Sequence, residues 1–197
     1  VGSEMCIRDR LKIFGNNIEE YRLQFLRKSI GLVPQKAALF SGTIAENMRW
    51  SNPNATEDEI IKALKIAQAW EFVYQLPNGL KTHISQGGKN FSGGQRQRLT
   101  IARALVGEPS IVILDDSMSA LDYETDFKLR KALSEHLKDT AVIMISQRAT
   151  TLKNADSILV LDDGEQIGLG TNEQLLKSCE EYKEIYNCLL YTSDAAD

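Results

Sequence analysis

Phe91-Ser92-Gly93-Gly94-Gln95-Arg96-Gln97-Arg98, followed by the apolar run 99–106, is the stretch around which the rest of the sequence arranges itself. A serine and two glycines opening directly into a helical pattern describe a helix N-terminus with nothing bulky in front of it. The first turn of a helix leaves backbone N–H groups without intrahelical partners, and the helix dipole adds partial positive charge there. Glycines let a phosphate approach that backbone closely, and the Ser92 hydroxyl can donate one more hydrogen bond. Taken alone, the same tripeptide also reads as a flexible turn before an amphipathic helix. The order of features on either side decides between the two.

Downstream, the helix stops at Gly107-Glu108-Pro109, and Ile111-Val112-Ile113-Leu114 runs into Asp115-Asp116. Four apolar residues closed by two acids read as a fully buried parallel strand with carboxylates at its carboxyl end. Asp122 is a suitable N-cap for a helix over 123–137, with Phe127, Leu129, Leu133 and Leu137 expected to face the sheet. A second buried strand over 141–145 ends in Ser146-Gln147-Arg148, completing a right-handed βαβ unit. A strand over 157–161 turns at Asp162-Asp163-Gly164 into 166–169, a hairpin signal. Thr171 and Gln174 then cap one final helix running toward Tyr186, with Cys179 inside it.

Upstream, 11–14 reads as a short strand before the Gly15-Asn16-Asn17 turn, and 21–27 as a short helix. A buried strand over 30–33 is stopped by Pro34, with Gln35 just past its end. Thr56 and Glu59 form a capping box for a helix that carries Ile60, Ile61, Leu64 and Ala67 on one face. Trp70, Phe72, Val73 and Leu76 add apolar bulk for a helical subdomain. In an open α/β sheet, ligands bind at the carboxyl ends of strands, which is where Gln35, Asp115, Asp116 and Gln147 fall. An aspartate there suits Mg²⁺, and a second carboxylate can orient or deprotonate an attacking water; a solvated turn is the plainer reading of the same pair.

The 197 residues are 43% hydrophobic and 25% charged, which suits one compact domain with a subdomain. A net charge of −4 gives no electrostatic case for nucleic acid. No apolar run reaches the roughly 18 residues of a membrane span, and no signal-peptide pattern is present. Residues 1–10 (VGSEMCIRDR) and 188–197 (CLLYTSDAAD) share no periodicity with their neighbours and resemble translated sequencing-adaptor read-through. Both are set aside, and Cys6 and Cys188 with them, so that Cys179 alone remains and no disulfide framework is expected. His83 and His136 read as surface side chains, while Arg96, Arg98 and Arg103 are expected to pair with acids or approach phosphate.

In combination, Gln35, Phe91 to Gln95, Ile111 to Asp116, Ser119-Ala120-Leu121-Asp122 and Ser146-Gln147-Arg148 resemble an ATP-binding cassette nucleotide-binding domain over residues 11–187. The segment Phe40-Ser41-Gly42-Thr43-Ile44-Ala45-Glu46-Asn47 is similar to one that exporter-type members place near their transmembrane coupling helices. The resemblance implies a P-loop NTPase-like, mostly parallel α/β sheet flanked by helices, with an inserted helical subdomain over about 44–108. It makes Gln35 the Q-loop glutamine, a catalytic and metal-facing residue. Ser92, Gly93, Gly94 and Gln95 become the signature that contacts ATP held by a second such domain. Asp115 becomes the Mg²⁺-binding Walker B aspartate, and Asp122 the D-loop aspartate, expected to bind the nucleotide. ATP and Mg²⁺ are the implied ligands, and a transmembrane domain holding the unit at the cytoplasmic face of the membrane is the implied partner.

Three departures accompany the resemblance. No G-x-x-x-x-G-K-[ST] occurs, so the Walker A part is expected to be missing before residue 11, and this fragment by itself is expected to be inactive. Asp116 stands where a glutamate is usual, and Gln147 where a histidine is usual; Gln86, also in place of a glutamate, is a weaker departure. Together they resemble the subunit of heterodimeric exporters whose own site is degenerate. Two rival readings are a non-catalytic regulatory subunit that supplies only its signature, and a soluble ATPase of the same superfamily.

Overall fold

The computed structural model describes residues 11–193; residues 1–10 and 194–197 lie outside it. Contacts divide the chain into two units, 1–143 and 144–197, each described by itself.

The first unit is built on a parallel pair, Ile30–Val33 beside Ile111–Asp115, in register Ile30↔Ile111 through Val33↔Leu114. Strand Ala141–Ile145 follows on the other side of Ile111–Asp115, its first residue donating from N–H to the Ser110 carbonyl at 3.0 Å. The helix Gly93–Leu105 lies across one face of the pair. Val33, Val112 and Leu114 of the strands are buried, as are Leu99, Ile101 and Ala102 of the helix. Each fully buried aliphatic side chain of this kind contributes roughly 1.5–3 kcal/mol.

Apolar residues at consecutive strand positions point alternately to the two faces. The sequence reading expected both faces of these strands to be buried. Instead Leu32 is 58% exposed and Ile143 50% exposed, so the second face is open among the described residues.

Gly31 sets how closely helix and strand approach. A Cβ there would lie 2.7 Å from the Ala104 carbonyl oxygen and 2.9 Å from Pro109 Cγ. Gly31→Val is therefore expected to destabilise the chain by about 1–3 kcal/mol through overpacking against backbone. An unchanged midpoint in urea denaturation would show that the approach is looser than this.

Short capped helices pack around the same core. Glu57–Ile66 starts in the expected capping box, with Thr56 N–H donating to Glu59 Oε2 at 2.7 Å and Glu59 N–H to Thr56 Oγ1 at 3.3 Å. Its Ile60, Ala63, Leu64 and Ile66 are buried, and it packs on Gly93–Leu105. Ile44–Met48 carries an equivalent box from Thr43 and Glu46. Tyr123–His136 buries Leu129 and Leu133, but Phe127 is 54% exposed, against expectation. Residues two apart on a helix lie about 200° apart, so Phe127 and Leu129 cannot share one narrow face.

In the second unit, Ile158–Asp162 and Glu165–Gly170 form the antiparallel hairpin that the turn residues indicated. Asp163 and Gly164 have φ of 46° and 83°, as a two-residue primed turn requires. The hairpin packs Ile158 and Val160 onto Leu175, Cys179 and Tyr182. One continuous final helix was expected; the structure breaks it at Cys179, with Asn172–Ser178 before and Glu180–Ser193 after. Extended backbone at Cys179 (φ −127°, ψ 109°) redirects the chain where both Cys179 and Tyr182 are buried, and the Tyr182 hydroxyl donates to Asn172 Oδ1 at 2.9 Å. The second helix continues into the segment 188–197 that the sequence reading sets aside.

Candidate functional site

Ser92 is the N-cap of Gly93–Leu105, with extended backbone (φ −64°, ψ 163°). Its hydroxyl oxygen accepts from Gln95 N–H at 3.2 Å, and Gln95 Oε1 accepts in return from Ser92 N–H at 3.0 Å. This reciprocal cap satisfies the third amide of the helix and leaves those of Gly93 and Gly94 without intrahelical acceptors. The Ser92 hydroxyl, an acceptor in the cap, keeps its proton for donation. Gln95, expected at the nucleotide, spends its side-chain oxygen on the cap itself. A Cβ on Gly93 would meet nothing within 4 Å, and one on Gly94 only Ala120 O at 3.5 Å and Leu121 Cδ2 at 3.8 Å. Neither glycine is there because the fold lacks room.

Beside this N-terminus lies the turn after strand Ile111–Asp115. Asp115 ends the strand exposed to solvent. Asp116 follows in left-handed backbone, φ 42°, and its carbonyl accepts from the Ser119 hydroxyl at 2.8 Å. Gln35 Nε2 donates to Asp116 Oδ2 at 3.2 Å, so two residues 81 positions apart meet at one sheet edge, as the parallel topology implied. With its amide nitrogen engaged, Gln35 retains Oε1 as an acceptor. Two carboxylates and an amide oxygen suit Mg²⁺, which binds through one or two carboxylates and keeps several waters. No group of three or more His, Cys, Asp or Glu side chains able to hold a metal occurs among the described residues, so a tighter all-protein cage is not on offer.

Asp122 caps Tyr123–His136. Its Oδ1 accepts from Thr125 N–H at 2.9 Å and its Oδ2 from the Thr125 hydroxyl at 2.8 Å. These bonds, the backbone one first, hold its carboxyl below the usual carboxylate range, and the positive charge of Arg98 adds a smaller pull. Both oxygens of this expected ligand thus serve the helix cap. Gln147 lies exposed in the second unit, just past strand Ala141–Ile145.

One positioning residue, Gln97, escaped the sequence reading, and Arg98, which it named, makes other contacts than expected. Gln97 is 1% exposed, and its Nε2 donates to the Pro34 carbonyl at 3.4 Å, tying the glycine-opened helix to the residue before Gln35. Its signal was an amide four residues before Ile101, on the helix's buried face. Arg98 donates from Nη1 to the Gln68 carbonyl at 2.7 Å and lies 4.9 Å over the Phe72 ring, which in turn packs on Phe91. Burial lowers the pKa of Arg98, with the charges of Asp122 and Glu71 opposing that shift. Of the two alternatives expected for Arg98 and Arg103, an acid or a phosphate, an acid is not the main contact of either; Arg103 sits 5.3 Å over the Phe40 ring. His83 and His136 are exposed.

A family model described as ABC transporter matches residues 1–119. The chain is 48% identical over 177 residues to an uncharacterized ABC transporter ATP-binding protein, YfiB, of Bacillus subtilis, covering 90% of this chain and 30% of that protein. It is 38% identical over 177 residues to the putative multidrug export ATP-binding/permease protein YgaD of the same organism, with the same coverage. Among solved structures, a bacterial Atm1-family ABC exporter with ATP bound matches with a TM-score of 0.83 and 33% identity, over 93% of this chain and 31% of that one. The chain therefore spans about 30% of the length of these relatives. No helix among the described residues is long and apolar enough to cross a membrane.

Proposed function

The chain belongs to the ABC transporter family, as an ATP-binding domain, and from that premise we propose that it works as half of a nucleotide sandwich that drives an exporter. In this reading the transmembrane domain holds it at the cytoplasmic face of the membrane. Its partner is a second, unlike nucleotide-binding domain.

One observation carries the reading. The N-terminus of Gly93–Leu105 presents two amides without intrahelical acceptors and a capping serine, at a place where the fold has room for larger residues. Such an end is suited to a phosphate held by another protein. Ser92 donates its hydroxyl proton to a phosphate oxygen, while the Gly93 and Gly94 amides meet charge that grows during phosphoryl transfer.

At the chain's own sheet edge, Asp115 and the Gln35 side-chain oxygen would hold Mg²⁺, which neutralises phosphate charge when bound. Asp116, oriented by the Gln35 amide, would polarise the attacking water. Gln147 in place of an ionisable imidazole, with the shorter Asp116, makes this subunit's own site slow. The chain alone is expected not to hydrolyse ATP. The rival reading, a subunit that only lends its signature, shares the first site and denies any turnover at the second.

The direct test is the structure of the full-length complex trapped with ATP. Ser92 Oγ and the Gly93 and Gly94 nitrogens should lie about 3 Å from oxygens of the terminal phosphate bound to the partner. The proposal fails if that helix end faces no phosphate.

A further inference from the structure

The helix Gly93–Leu105 and the strand Ile30–Val33 run in opposite directions, and two of their contacts fix their register. At the first, Gly31 lets the backbones close up, since a Cβ there would lie 2.7 Å from the Ala104 carbonyl oxygen. At the second, Gln97 Nε2 donates to the Pro34 carbonyl at 3.4 Å. The spans match, because the helix from Gln97 to Ala104 and the strand from Gly31 to Pro34 each cover about 10 Å. No side chain of Gly31 interlocks with the helix, so the first contact serves as a pivot. The bond at Gln97 resists tilting about it.

Packing alone does not call for an amide at this position. The side chain is 1% exposed, and a methionine of the same length would fill the space with no polar group to satisfy. At 3.4 Å the bond is already long, so a further stretch of about 0.3 Å ends it. With a lever of about 10 Å, that stretch corresponds to a tilt of about 2°. Ser92 lies farther out, about 18 Å from Ala104 along the helix, and an unrestrained tilt of about 5° would carry it about 1.5 Å. A hydrogen bond to phosphate does not absorb such a displacement. Arg98 moors the next position to the Gln68 carbonyl at 2.7 Å, so without Gln97 the helix end would follow the segment around Gln68 and not the strand.

Across the Gln97 bond lies the chain's own sheet edge. Proline fixes φ at residue 34, and Gln35 directly after it donates to Asp116 Oδ2 at 3.2 Å. We propose that Gln97 is a positioning residue that latches the glycine-opened helix to the strand carrying Gln35, and so holds Ser92, Gly93 and Gly94 where the partner's phosphate requires them. The inference rests on the reading of that helix end as a phosphate contact.

The test is Gln97→Met in the full-length complex, where turnover at the partner's site depends on this helix end. Maximal ATP hydrolysis should fall about tenfold or more while the amount of assembled complex is unchanged. The same substitution in a background of Gly93→Ala with Gly94→Ala should alter the residual rate less than about twofold, because the contact it positions is already lost. A general loss of folded complex would instead multiply through both backgrounds. Gln97→Leu serves if the methionine variant fails to assemble. The latch is overturned if Gln97→Met leaves hydrolysis unchanged, or if its effect is as large in the alanine background as in the native one. If the alanine pair itself leaves hydrolysis unchanged, the phosphate contact fails and the latch with it, an outcome that this control identifies separately.

Discussion

Replacing both Gly93 and Gly94 by alanine should make the chain slightly more stable while reducing hydrolysis by the intact transporter on the order of a hundredfold. The stability half follows from the local geometry. Both residues sit in the first turn of Gly93–Leu105, and an added Cβ meets no atom closer than 3.5 Å. Glycine in a helix interior costs roughly 0.5–1 kcal/mol relative to alanine, mostly through the freedom it keeps when unfolded, and less at the first two positions of a helix, so the double change should gain a few tenths to about 1 kcal/mol. The activity half follows from the proposed contact. Two methyl groups at the helix mouth would hold a phosphate away from the amides, and a misplacement of about 1 Å costs on the order of a hundredfold in rate. Urea denaturation of the chain and ATPase assay of the full-length complex read the two effects separately. Loss of stability together with activity would mean that the glycines serve the fold. Unchanged activity would remove the phosphate contact on which the proposed function rests.

How far the sequence could be read depended on the range of the interactions involved. The capping boxes at Thr56 and Thr171 are patterns of four consecutive residues, and each formed as read; the box at Ser92 and Gln95 is as local but was not read from the sequence. The Asp162-Asp163-Gly164 hairpin is equally local. The meeting of Gln35 with Asp116 was legible one step further out, because parallel strands bring their carboxyl ends to one edge. What escaped was decided by packing. The break at Cys179 reflects burial against a hairpin some ten residues upstream, which helix propensity does not sense. The Gln97 bond to Pro34 spans 63 positions. The left-handed backbone of Asp116 is stabilised from Ser119 and Gln35, and nothing in the pair Asp115-Asp116 announces it. Reading continuous apolar runs as strands buried on both faces went wrong for a related reason. Such a run records two faces that favour apolar cover, and among the described residues only one of them has it.

That backbone at Asp116 bears directly on the other large effect. Asp116→Glu combined with Gln147→His is expected to raise hydrolysis at this subunit's own site by about ten- to a hundredfold in the full-length complex. The longer side chain advances the carboxylate by one methylene, and positioned acid–base groups are worth about 10²–10⁴ in rate. The imidazole supplies what an amide lacks, a proton that exchanges near neutral pH. The cost falls on the fold. At φ 42°, aspartate is among the residues that tolerate left-handed backbone through local hydrogen bonds, and glutamate is less suited. Asp116→Glu alone should therefore lower stability by about 1 kcal/mol and loosen the 3.2 Å bond from Gln35, with only a small gain in rate. The pair should exceed the product of the single changes, because residues that act on one reaction couple strongly. Steady-state hydrolysis by the four combinations, with the partner's own site disabled, isolates this subunit's contribution. If the native pair already turns over as fast as the repaired one, the site is not degenerate. If the repaired pair stays silent, the subunit lends its signature and does no hydrolysis of its own.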